Sequence, residues 1–172
     1  MIGTGLLSLI FGDSETSDFW GDCFYSWWLD VRAKYRNISR LVIYMDNGPN
    51  NSGNRTQFLK RMIDFADWSG LELHLIYYPP YHSKYNPIER CWSSLQQKWG
   101  GTLLTCWDVV WDCATRMLWK SRHPDVYRLR GKYAKGVIVP KTEMQEIEKR
   151  LKRSASLPKY DIIITPKPPR GR

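Results

Sequence analysis

The chain has 172 residues, 42% of them hydrophobic with nine tryptophans, which suits one domain and is enough to build a core. Its net charge of +9 is uneven: residues 1–115 hold 10 Lys/Arg against 12 Asp/Glu, a net of −2, whereas residues 116–172 hold 16 against 5, a net of +11. The four cysteines (Cys23, Cys91, Cys106, Cys113) form no C-x-x-C pair and no metal-ligand spacing with the three histidines, so they read as the thiols of a reduced, cytosolic protein. Met1 to Phe11 is apolar but too short to span a bilayer, and it lacks the basic flank and cleavage site of a signal peptide.

In chain order, Leu6 to Phe11 (LLSLIF) predicts a strand ended by Gly12-Asp13. Thr16 or Ser17 then caps a helix running to about Tyr35, with Trp20, Cys23, Phe24, Trp27, Val31 and Tyr35 at helical spacing as a core-facing stripe. Leu41 to Met45 (LVIYM) is a second strand, and it delivers Asp46 into the turn cluster Asn47-Gly48-Pro49. A helix opening near Asn51 or Ser52 buries Phe58, Leu59, Met62, Phe65 and Ala66 and stops at Gly70. The next strand, Leu71 to Tyr78, places Leu71, Leu73, Leu75 and Tyr77 on one face.

Tyr78 to Arg90 (YPPYHSKYNPIER) turns that strand around a corner made rigid by Pro79-Pro80 and into a helix. Asn86 is its N-cap and Pro87 its first residue, so Glu89 falls in the first turn. Glu89 can close a capping box on Asn86, or it can be a functional carboxylate. Two strands leading to acids, with a helix between them, is how an α/β protein gathers carboxylates at one sheet edge. The Glu89 helix runs to Trp99, and Trp107 to Met117 marks another. Further on, Thr142 and Gln145 predict a capping box opening a basic helix with a stripe of Met144, Ile147 and Leu151. From Leu157 onward the basic, Pro-rich tail is expected to be extended or disordered.

The order β-α-β-α-β-α, with Asp46 after one strand and Glu89 opening a later helix, looks like the back half of an RNase H-like (integrase-like) fold. Two blocks, MDNGPNNSGNRTQF (Met45 to Phe58) and YYPPYHSKYNPIERCW (Tyr77 to Trp92), resemble DDE transposases of the mariner-like group, and in particular the ISAzo-type insertion-sequence family. The resemblance extends to TSDF near Thr16 and to Leu157-Pro158-Lys159. It implies an α/β fold of RNase H-like type over residues 1–123, partial because it lacks the first two strands, followed by a basic helical C-terminal extension and Pro-rich tail over 124–172. It also implies that Asp46 and Glu89 are the second and third members of a catalytic, metal-binding carboxylate triad. Two Mg²⁺ (or Mn²⁺) ions are expected only in the complete protein, where they would serve phosphodiester hydrolysis and strand transfer.

The family's first Asp lies on the first of the missing strands. Asp13 does not stand in, because a 4.8 Å strand spacing leaves its edge roughly 14 Å from the Asp46 strand; Asp18 and Asp22 belong to the following helix. The chain therefore reads as an N-terminally truncated transposase, inactive alone. The alternative is a non-catalytic DNA-binding product that competes with the full-length enzyme; a resolvase-like nuclease fits the Pro-Pro-Tyr and Asn-Pro-Ile-Glu blocks less well. The expected partner is DNA, as insertion-sequence ends and target duplex, with a homo-oligomer or full-length transposase as further partners and no membrane. A basic final third fits a polyanion, with a merely solubilising tail as the alternative. Candidate phosphate contacts are Lys84, Arg90, Lys149, Arg150, Lys152 and Arg153.

Overall fold

The computed structural model describes residues 6–79 and 86–168. It divides into two compact units that interleave along the chain, one formed by Met1–Gly12 and Tyr81–Arg130 and the other by Asp13–Pro80 and Gly131–Arg172. The position 123/124, where the basic extension was expected to begin, falls inside the first of these.

The second unit is a sheet with helices. Thr16 caps α1 (Ser17–Val31), its hydroxyl oxygen accepting from the Phe19 amide at 3.2 Å. The helix buries Phe19, Cys23, Phe24, Trp27, Trp28 and Val31, so the aromatic stripe is core, and one 3₁₀ turn (Arg32–Lys34) follows it. Burial pushes the Cys23 thiol up to about 12, which leaves it a packing group. Strand β2 (Arg40–Met45), helix α2 (Thr56–Ser69) and strand β3 (Glu72–Tyr77) form a β-α-β unit in which β2 and β3 pair in parallel, from Arg40 opposite Glu72 to Met45 opposite Tyr77. Gly70 ends α2 in the left-handed region at φ 73°, which glycine adopts without a Cβ clash.

Within the tail, expected to be extended or disordered, residues 161–164 are extended and paired: they form strand β6 (Asp161–Ile164), which pairs antiparallel with β3 and also with β5 (Leu151–Arg153), giving the order β2-β3-β6-β5. Ile162 and Ile164 are fully buried beside Leu73 and Leu75, because β-branched residues at alternate positions fit a pleated, covered face. The last helix, α5 (Lys141–Glu148), starts after Pro140 without a side-chain cap. Thr142 therefore lies inside the helix rather than at its boundary, and Leu151 belongs to β5 instead of the helical stripe.

Two arginines fasten this C-terminal hairpin. Arg150 donates to both oxygens of Asp67 at 3.1 and 2.6 Å and to the Thr165 carbonyl at 2.9 Å. Arg153 grips Glu148 with two bonds, of 3.0 and 2.7 Å, and donates to the carbonyls of Gly53 and Pro158 at 3.0 and 2.9 Å. Paired, charge-assisted bonds of this kind have the geometric specificity of an Arg–carboxylate fork.

The first unit holds β1 (Ser8–Phe11), α3 (Pro87–Trp99), α4 (Trp107–Arg116) and β4 (Asp125–Arg128). Strand β1 does not join the larger sheet: it pairs in parallel with β4, Leu9 opposite Val126. The reason is packing, since Leu7 and Leu9 bury against Cys91, Leu95, Ala114 and Met117. Arg128 lies over the Trp107 ring at 4.2 Å, a cation–π contact. The four cysteines are free, three of them buried. Among the described residues no helix is long and apolar enough to cross a membrane.

Arg150→Ala is expected to lower stability by about 2 kcal/mol in urea unfolding, because it strips both bonds from a half-buried carboxylate. Burial alone would raise Asp67, but bonds from Arg150 and the Lys167 amide, with their charges, hold it below its usual value. Its contribution is therefore fully present above its unfolded value near 4 and is lost as pH falls through the lower folded value. The gap between wild type and Arg150→Ala should close over that acidic window. Gly53→Ala should cost about 2 kcal/mol as well, since a Cβ there overlaps the Lys159 carbonyl oxygen.

Candidate functional site

Strand β2 ends at Met45 and the chain turns at once: Asn47 takes φ 62°, a left-handed conformation that asparagine tolerates better than most residues. Gly48 to Asn51 closes the turn, the Asn51 amide donating to the Gly48 carbonyl at 3.3 Å. Ser17, the first residue of α1, donates from its hydroxyl to the Asn50 carbonyl at 2.8 Å and pins the turn to the helix. Asp46 is exposed at this turn. Its Oδ1 accepts from Asn51 Nδ2 at 2.9 Å, and its Oδ2 has no partner among the described residues.

Asn51 explains why α2 begins at Thr56 and not at Asn51 or Ser52. The side chain expected to cap a helix is bonded to Asp46 instead, and the chain makes a further turn, Arg55 amide to Ser52 carbonyl at 2.9 Å, before the helix starts. The sequence places the helix start near Asn51 or Ser52; the signal for the bond to Asp46 was an Asx residue placed to fold back across Gly48-Pro49 onto the acid. Beside the turn lies Tyr77, buried, its hydroxyl without a hydrogen-bond partner among the described residues. Burial raises the phenol well above its ordinary value, the Arg153 charge opposes this, and the Asp46 charge adds to it, so the hydroxyl keeps its proton.

Glu89 sits where the sequence placed it. Asn86 caps α3, its Oδ1 accepting from the Ile88 amide at 3.2 Å, Pro87 is the first helical residue, and Glu89 lies in the first turn. The reciprocal arm of a capping box is not made: Glu89 is exposed, and among the described residues its carboxylate has no hydrogen-bond or ion-pair partner. Asp46 belongs to the sheet unit and Glu89 to the other. Among the described residues no group of three or more His, Cys, Asp or Glu side chains gathers as a metal cluster.

The remaining acids near the start of the chain are engaged elsewhere. Asp18 accepts from Gln57 at 2.8 Å, and Asp22 pairs with Arg61 and accepts from Tyr133 at 3.1 Å. Of the basic candidates, Arg90 is exposed on α3 and Lys152 on β5, and Lys149 is exposed while paired with Glu146 at 2.6 Å. Arg150 and Arg153 are spent within the fold as described above. Lys84 and His82 lie outside the described residues.

A family model described as the Rhodopirellula transposase DDE domain matches residues 3–166, nearly the whole chain. The chain belongs to this DDE transposase family. No curated protein matches it, and no solved structure does. The mixed α/β architecture, two sheets and five helices among the described residues, is compatible with that family. Its function is that of a transposase domain, with DNA the substrate class that membership implies, and DDE domains generally use divalent metal ions. Asp46 Oδ2 and the Glu89 carboxylate, both exposed and without a partner among the described residues, fit such an ion chemically as hard oxygen donors.

The two roles open to Glu89 separate in a simple experiment. Asn86→Ala should cost about 1 kcal/mol, by loss of a cap. Glu89→Gln should change stability by less than about 0.5 kcal/mol, as for a surface site with no partner. A loss for Glu89→Gln as large as for Asn86→Ala would show that the carboxylate serves the helix.

Proposed function

We propose that Asp46 and Glu89 are the second and third carboxylates of an RNase H-like DDE site, in an insertion-sequence transposase of the mariner-like group. The observation that carries this reading is the pair of exposed carboxylates inside one family match, one directly after β2 and one in the first turn of α3. The parallel β2–β3 pair linked by α2 supports it, because that unit sets Asp46 at the strand end from which the chain also leaves β3. Asp46 and Glu89 would hold Mg²⁺ or Mn²⁺. When bound, a pair of such ions supplies an activated water or 3′-hydroxyl and stabilises the charge of in-line phosphodiester attack.

The residues of this chain present the oxygens for that chemistry. Asp46 offers Oδ2 while Oδ1 is held by Asn51, and Glu89 offers both oxygens from a capped helix whose N-terminal end favours negative charge. DNA phosphates would meet Arg90, Lys149 and Lys152, together with Lys84, whereas Arg150 and Arg153 serve the fold first. With only Asp46 and Glu89 of a three-carboxylate site assigned here, one of two ions would be weakly held, and the chain by itself is expected not to nick DNA.

Calorimetric titration with Mn²⁺ tests the assignment: weak binding by wild type should be lost in both Asp46→Asn and Glu89→Gln, with folding unchanged. Binding that survives both substitutions would place the ion elsewhere and remove the DDE assignment of these two residues. Metal-dependent nicking by the wild-type chain, lost in Asp46→Asn, would overturn the claim of inactivity alone. For DNA, duplex affinity should fall steeply between 50 and 200 mM salt, and replacing Lys149 and Lys152 by Ala should reduce the log–log slope by about 1–2. A slope unchanged by that pair would assign them to the solubilising surface.

A further inference from the structure

We propose that Asn51 is a positioning residue for Asp46: it holds one carboxylate oxygen and turns the other toward the cation. The inference rests on the reading of Asp46 as a metal ligand. Asn51 is only 2% exposed, so water has little access to compete for its amide group, and Nδ2 donates to Asp46 Oδ1 at 2.9 Å. A carboxylate held at one oxygen has one outward oxygen left to offer.

The other half of the same amide shows that fold stability does not account for this residue. Asn51 Oδ1 is buried and has no hydrogen-bond partner among the described residues. A buried acceptor without a partner opposes folding. An apolar side chain of similar size would avoid that loss, and what it would give up is the grip on Asp46. The surroundings are built around the contact. The Asn51 amide closes on the Gly48 carbonyl, and Ser17 of α1 holds the Asn50 carbonyl. A Cβ at Gly48 would come within 3.1 Å of Asn51 Oδ1 and within 3.6 and 3.7 Å of the Asp46 carboxylate oxygens, so the absent side chain there leaves room for the pair. Groups that bond a metal ligand from behind fix its orientation, and their loss typically weakens metal affinity 10–100-fold.

The test uses the 172-residue chain, with Asn51→Leu as a volume-matched variant lacking the donor and Asn51→Asp as an isosteric one. Three-bond couplings at Asp46, measured by NMR without metal, should report a single χ1 rotamer in wild type and averaging in both variants. The melting temperature of Asn51→Leu should equal or exceed that of wild type. Mn²⁺ broadening of the 46–51 amide signals should then need at least about tenfold more metal in each variant than in wild type. An Asp46 rotamer that stays fixed in the variants overturns the proposal. So does failure of both variants to fold, which would make Asn51 a structural residue. Rotamer averaging in the variants, with no Mn²⁺ broadening of the turn in any of the proteins, would uphold the positioning role and overturn the metal reading of Asp46.

Discussion

The parallel pairing of β2 and β3 is the constraint on which the rest depends. Parallel strands run side by side to the same end, and here Met45 stands opposite Tyr77, with the Tyr78 amide donating to the Met45 carbonyl at 2.8 Å. Asp46 and the segment leaving β3 are thereby delivered to one end of one sheet. The pairing in turn needs α2 as its crossover, and α2 needs a covered face, which α1 provides through Phe24 and Phe65 with ring centroids 6.0 Å apart.

What keeps β3 central is the end of the chain. Ile162 and Ile164 lie along β3 as an antiparallel neighbour, and the hairpin that carries them is tied to α2 by Arg150 and to the Gly53 segment by Arg153. The basic final third thus does two kinds of work. Some of its charges are internal fasteners, and the outward lysines are those available to a polyanion. A net charge of +11 cannot be converted directly into phosphate contacts once its best-placed arginines are found paired with carboxylates inside the fold.

Much of this was legible in the sequence where the determinants are local. Thr16 and Asn86 both cap helices as read, because a cap depends on a side chain and amides two or three residues away. The strand faces of β3 and the apolar stripes of α1 and α2 followed from period alone. Several misreadings involve partners beyond the reach of a helix cap. Asn51 looks like the start of a helix until Asp46 claims its side chain, and the run Ile162-Ile163-Ile164 looks like tail until Leu73 and Leu75 offer it a covered face. Strand β1 looks like an edge of the sheet that holds β2, whereas it pairs with β4 in a sheet of its own, where Leu7 and Leu9 pack with Cys91 and Leu95. The two carboxylates were singled out from the two sequence blocks, and the bond from Asn51 to Asp46 is seen only in three dimensions.

Asp46 and Glu89 are each proposed to offer an oxygen to the divalent ions of a DDE site. A crystal of the chain soaked in Mn²⁺ and measured at the manganese absorption edge tests it most directly. The expected result is manganese at bonding distance from Asp46 Oδ2, with Oδ1 still held by Asn51, and at bonding distance from a Glu89 oxygen. Manganese missing from either carboxylate, or bound only at other residues, would contradict the proposal.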